Sequence, residues 1–125
     1  MPTTQASFSS ATYSPDNLIA GNADLLVGRK VTIISGQNLV RGSVLGKITA
    51  SSKYNLSASA AVDGSQTPDL ILAEAADATA GDVEAMAYQR GDFNQNALTL
   101  GAGHTIASIT EGLRGKGIIL VDGGA

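Results

Sequence analysis

The chain divides its apolar residues into short β-branched runs separated by glycine, and this punctuation most constrains its fold. Lys30-Val31-Thr32-Ile33-Ile34 stops at Ser35-Gly36, and Ser43-Val44-Leu45-Gly46-Lys47-Ile48-Thr49 follows Arg41-Gly42. β-Branched side chains favour the pleated strand, while glycine supplies the turn conformations that end it. Leu70-Ile71-Leu72-Ala73 forms a third run after Pro68. In a fourth, residues 83–90, Val83, Ala85 and Ala87 share one face and Met86 and Tyr88 the other, as in a strand covered in part on both sides. The polar, Ala-rich stretch from Ser51 to Gly64 reads as a loop or irregular strand ending in an Asp63-Gly64 turn. One helix is expected near the end, with Ile106, Ile109 and Leu113 on one face and Thr105 as a cap. Ser108-Ile109-Thr110-Glu111 has capping-box spacing, and Gly115 suits a left-handed end. Gly112 inside this helix costs about 1 kcal/mol against Ala, so packing must hold it. A last strand spans Gly117-Ile118-Ile119-Leu120-Val121, and no internal repeat is found. The expected class is mainly β with one short C-terminal helix.

Composition limits how such a domain is stabilised. Of 125 residues, 19 are Ala and 15 are Gly, and each contributes little apolar area. The absence of Cys excludes disulfides, thiolate zinc sites, iron–sulfur clusters and Cys nucleophiles. A thin core without staples points to burial against copies of the chain or against a larger partner.

Residues 1 to 27 follow neither a helical nor an alternating period. They read either as a free polar tail or as an arm that orders on a partner by adding a strand to a sheet edge. Phe8, Tyr13, Leu18 and Ile19 are the arm's candidate contacts, Phe8 and Tyr13 being two of only five aromatic residues. Asp122 to Ala125 reads as a flexible end. No stretch approaches the ~20 apolar residues of a membrane span, and Met1-Pro2-Thr3-Thr4-Gln5 lacks the features of a signal peptide, so a soluble, unprocessed chain is expected. With a net charge of −3 and eight scattered Lys and Arg, no nucleic-acid partner is expected. Charge is uneven: Arg29, Lys30, Arg41, Lys47 and Lys53 fall in a stretch without acids, whereas residues 63–92 hold seven acids and one Arg. Pairing within the fold, pairing between subunits and two solvated faces all fit this asymmetry.

No constellation points to catalysis. His104 is the sole His and lies between Gly103 and Thr105, without the partners a catalytic or metal-bound His needs. Asp63, Asp69, Glu74, Asp77, Asp82, Glu84 and Asp92 lack EF-hand spacing and read as a solvated or salt-bridged face. Gly101-Ala102-Gly103 lacks the third glycine of a dinucleotide loop, and neither a P-loop nor a nucleophile elbow occurs. The expectation is a non-enzyme with no cofactor, no metal and no small-molecule substrate.

The segment Ser35-Gly36-Gln37-Asn38-Leu39-Val40-Arg41-Gly42-Ser43-Val44-Leu45-Gly46-Lys47-Ile48, followed by Lys53-Tyr54, resembles the head decoration protein D family of tailed bacteriophages, the lambda type. So does the ordered series that follows: Ala61 to Thr67, Leu70-Ile71-Leu72 leading to Ala76 through Asp82, Arg90-Gly91-Asp92-Phe93-Asn94, Ala97-Leu98 and the closing helix and strand. The resemblance covers about residues 30 to 121. It implies a small β-clip-like domain (28–121) behind an extended N-terminal capsid-binding arm (1–27), with a flexible tail (122–125). It further implies a homotrimer on the outer surface of the virion capsid, at three-fold and quasi-three-fold positions, locking major capsid proteins together after head expansion and assembled in the host cytoplasm. Gly36, Gly42, Gly46 and Gly64 would then set the turns that aim the strands. The rival class is a small β binding or carrier module of the biotinyl or lipoyl type, which shares a Gly-x-x-Leu-x-x-Gly turn. Such carriers present a Lys flanked by Met or acids, and this chain has no Met-Lys or Asp-Lys dipeptide.

Overall fold

The structure, a computed structural model, describes residues 18–21 and 26–122. Phe8, Tyr13 and residues 123–125 lie outside the described residues. In chain order the elements are β1 (Ile19–Gly21), β2 (Val27–Ile33), β3 (Asn38–Leu39), β4 (Val44–Lys47), β5 (Tyr54–Leu56), β6 (Pro68–Leu72), β7 (Ala76–Asp77), β8 (Val83–Asn94), a 3-10 turn (Gln95–Ala97), α1 (Ile106–Arg114) and β9 (Ile118–Val121). As expected, the fold is mainly β with one short C-terminal helix.

β8, the longest strand, organises the rest. Its first part pairs antiparallel with β2, from Ile33 opposite Val83 to Val27 opposite Arg90, with a register shift between Val27 and Gly28. β2 meets β5 in parallel at Ile33 and Tyr54, β5 pairs with β4, and β4 pairs with β6. β6 returns to β8 through Ile71 opposite Tyr88 and Leu72 opposite Ala87. These five strands close a barrel-like ring, which satisfies main-chain groups that an open sheet would leave at its edges. The far end of β8 is flanked by β9 in parallel and by β1 antiparallel, placing the first and last described strands beside it.

Side-chain alternation divides the interior in two. Val31, Ile33, Leu45, Tyr54, Leu70, Leu72, Ala85 and Ala87 fill the ring, joined by Leu39, Ala76 and Ala78 from the β3–β7 pair. Val44, Ile71 and Phe93 project to the opposite side, where Leu18, Ile109, Leu113 and Ile118 build a second core. β4 and β6 are therefore buried on both faces, which explains why Val44-Leu45 and Leu70-Ile71-Leu72 are continuous apolar runs. Among the described residues, only four alanines are core residues. Ala85 and Ala87 line the ring and Ala76 and Ala78 flank it, all packed among larger residues.

Local details depart from the expected pattern in four places. Tyr54–Leu56 is a regular strand within the stretch read as loop or irregular strand. The capping box joins Thr105 to Ser108, not Ser108 to Glu111: Thr105 N–H donates to Ser108 Oγ at 2.9 Å, and Ser108 N–H to Thr105 Oγ1 at 3.1 Å. The helix starts at Ile106, so Ser108 already occupies its third position, and Glu111 pairs with Arg114 instead. Gly115 is right-handed at φ −64°, and the left-handed glycine after the helix is Gly117 at φ 94°. Finally, Gly46 sets no turn. It lies inside β4, where a Cβ would overlap the Ser65 carbonyl, so glycine permits a close approach of two backbones. Gly36, Gly42 and Gly64 have φ of 94°, 96° and 106°, as turn residues do.

Candidate functional site

The most distinctive local arrangement is where the N-terminal segment enters the folded body. Leu18, grouped by the sequence with the arm, is 1% exposed and belongs to the second core. Its carbonyl accepts the Asn94 N–H at 2.8 Å, and Ile19 stands opposite Phe93 and packs half-buried against the same core. The local pattern does not show that Leu18 is buried within its own domain, because the cluster it joins is drawn from β4, β6, β8, α1 and β9. The structure brings Leu18 and Ile19 together in this way, while Phe8 and Tyr13 lie outside the described residues.

Beneath this entry point is a cluster that the sequence does not single out as functional. The Phe93 and Tyr88 rings are 5.3 Å apart, and the Arg41 guanidinium lies 5.8 Å from the Tyr88 ring centre. Arg41 donates to the Ala73 carbonyl at 2.8 Å and to Tyr88 Oη at 3.1 Å. One side chain thereby fastens the chain following β6 to β8, combining charge-assisted hydrogen bonds with a cation–π contact. The available signal was the Arg90-Gly91-Asp92-Phe93-Asn94 segment, in which Phe93 is the only large apolar residue.

The polar residues hold turns together. Ser57 Oγ donates to the Ser65 carbonyl at 2.7 Å and is left as an acceptor for His104. His104 Nε2–H is shared between Ser57 Oγ at 3.2 Å and the Gln66 carbonyl at 3.0 Å, and Nδ1 lies 3.2 Å from Ser108 Oγ. The histidine links the 57–66 loop to the start of α1. Gly101 sits where a Cβ would overlap the Ser57 carbonyl, so its place in Gly101-Ala102-Gly103 reflects loop packing.

The acids behave similarly. The Ser65 hydroxyl and N–H hold Asp63 below the usual carboxylate range, Thr79 does the same for Asp77, and Lys53 with the Ser35 N–H does so for Asp82. Burial raises the Tyr54 phenol, reinforced by the charge of Asp69. Glu74 accepts the Met86 N–H at 2.8 Å. The basic and acidic stretches meet within the fold at Lys53–Asp82 and Lys30–Glu84. Among the described residues, no three His, Cys, Asp or Glu side chains are grouped to hold a metal ion, and no helix is long and apolar enough to cross a membrane.

A closed β ring with one helix thus carries an N-terminal segment rooted in its second core, with Asp63, Asp77 and His104 engaged in turn and loop contacts. The family described as bacteriophage lambda head decoration protein D matches residues 7–118, and this chain belongs to that family. The match starts well before residue 30, where the resemblance in the sequence began, and takes in Phe8 and Tyr13. Comparison with curated proteins finds no match. Family membership assigns the chain a general role in capsid decoration and stabilisation, as a viral structural protein and not an enzyme.

Proposed function

We propose that the chain cements the expanded head from outside, binding as a homotrimer at three-fold and quasi-three-fold positions and tying neighbouring major capsid proteins together. Residues 1–17 form the capsid-engaging arm, with Phe8 and Tyr13 as its apolar contacts. Leu18 and Ile19 complete the arm as its root, transmitting load from the arm to β8. The observation that supports this reading best is the burial of Leu18 in a core built from the far end of the chain, within a family match that extends out to residue 7. A segment anchored this way can pull on its partner without peeling off its own domain. Binding only the folded form would also stabilise the protein, by an amount that grows with partner concentration relative to Kd.

The test is addition of the purified protein to expanded, undecorated heads. Saturation at three copies per three-fold site, with increased resistance of the heads to heat, is expected. Removal of residues 2–17 should leave the circular dichroism of the domain intact and weaken binding. Saturation without three-fold stoichiometry would overturn the trimeric reading, and undiminished binding by the shortened chain would overturn the role of the arm.

A further inference from the structure

Asp63-Gly64 is the one Asp-Gly step lying wholly within the described residues. Such a step is chemically weak, because glycine has no side chain to keep its nitrogen from the neighbouring carboxyl carbon. The Gly64 nitrogen can attack Asp63 Cγ: the N–Cγ bond forms, and a carboxyl oxygen leaves as water with the amide proton and a carboxyl proton. Water then opens the succinimide ring at either carbonyl. Opening at the former main-chain carbonyl leaves isoaspartate, with the chain running through Cγ and no net change of composition. Glycine is nevertheless required here. Gly64 has φ 106°, and a Cβ would stand 3.0 Å from the Lys47 carbonyl and overlap Thr49 Oγ1.

The peptide unit joining the two residues is clamped at both ends. Gly64 N–H donates to Gln66 Oε1 at 2.8 Å, and the Asp63 carbonyl accepts the Thr49 N–H at 2.9 Å. His104 in turn holds the Gln66 carbonyl at 3.0 Å. Ring closure must turn this peptide plane to bring its nitrogen over Cγ, which breaks both bonds. The carboxyl group is pinned as well: Asp63 Oδ1 accepts the Ser65 hydroxyl at 2.6 Å and the Ser65 N–H at 3.0 Å. These bonds favour the ionised form, a poor electrophile whose oxygen leaves as water only after protonation. Asp63 itself is exposed, so solvent reaches the step. We propose that Asp63-Gly64 is a latent isomerisation site, which the Gln66 side chain holds shut at the nitrogen and Ser65 at the carboxylate. Isomerisation would lengthen the main chain by one carbon inside the turn and release its contact with Thr49. The device works in the isolated chain and is independent of the capsid reading.

The experiment is ageing of the full chain at neutral pH, followed by trypsin digestion. The peptide carrying the step runs from Tyr54 to Arg90. Its isoaspartyl form is separated by chromatography and located by electron-transfer fragmentation. The folded chain should gain isoaspartate at residue 63 about tenfold more slowly than chain unfolded in guanidinium, because ring closure must await local opening. Gln66→Ala should speed the folded reaction about fivefold, the size of one lost hydrogen bond. Ser65→Ala, which removes one of the two bonds to Oδ1, should speed it less. Gln66→Glu keeps an acceptor for the Gly64 N–H and should keep the native rate. Thr79→Ala removes the like bond to Asp77 in another turn and should leave residue 63 unaffected. Unshifted 15N–1H amide signals in the ring core would show that each variant is folded. Equal rates in the folded and unfolded chain, or a native rate in Gln66→Ala, would overturn the proposal. So would Gln66→Glu reacting as fast as Gln66→Ala, or Thr79→Ala raising the rate at residue 63 as much.

Discussion

The two cores are built on different principles. The ring core includes four alanines and one aromatic residue, and its walls are joined by ladder hydrogen bonds all the way round. The second core has no alanine among its fully buried members and depends on Phe93 and six aliphatic residues drawn from β4, β6, α1, β9 and the residue preceding β1. The first combines seven large side chains with four alanines inside a hydrogen-bonded ring. Side-chain area supports the second, at about 1.5–3 kcal/mol for each fully buried large residue. The difference accounts for an Ala- and Gly-rich domain that stands without disulfides. It also shows that the N-terminal entry depends on the half most sensitive to truncation of side chains.

The largest effect should come from Phe93→Ala, which removes the centre of the second core and is expected to cost about 3–5 kcal/mol by denaturant unfolding. In hydrogen exchange, amides of β1 and α1 should open in this variant before those of β4 and β6; simultaneous opening would break the division into two regions. Ala87→Leu tests the ring from the other direction. Ala87 is fully buried opposite Leu72, and overpacking there should cost about 1–3 kcal/mol in the unfolding midpoint. A neutral result would mean that the ring is looser than its alanines imply. Thr105→Ala removes one side of the capping box and should cost about 1 kcal/mol in thermal unfolding, confined to the helix side of the molecule.

The smallest effect is electrostatic. Asp63, Asp77 and Asp82 are held below the ordinary carboxyl value of 3.8 in the folded state. Their contribution is fully present above that value, where the carboxylates are charged in both states. It is lost as pH falls through the lower folded values, because the unfolded chain takes up protons first. Melting temperature should therefore decline from about pH 5 downward, and Asp82→Asn should flatten part of that decline. An unchanged slope would remove the Lys53–Asp82 contact from the account.

Four of the five ring strands were legible because each lies within an apolar run set off by glycine or proline, and the Val83–Arg90 alternation correctly set Ala85 and Ala87 on one covered face. The extension of β8 to Asn94 was not. Gly91 interrupts the period, and the strand continues only because β1 and β9 supply partners from the chain ends. Tyr54–Leu56 was obscured by its polar setting, since a strand this short is fixed by neighbours on both sides and not by its own propensity. The helix was found, yet its caps were misplaced by one turn or less. Capping spacings recur at Thr105/Ser108 and Ser108/Glu111, and only packing of Ile109 and Leu113 selects the register. For the entry point, Ile19 and Leu18 were named as contacts, but long-range burial of Leu18 has no local periodic signature.

The proposed function requires the segment rooted at Leu18 in the second core to join this domain to a capsid. A cryo-electron microscopy map of expanded heads decorated with the full chain tests it most directly. Trimeric density on the three-fold and quasi-three-fold axes is expected, with residues 1–17 lying against the major capsid protein and Leu18 still packed beneath Phe93. Density away from those axes, or residues 1–17 making no contact with the shell, would contradict it.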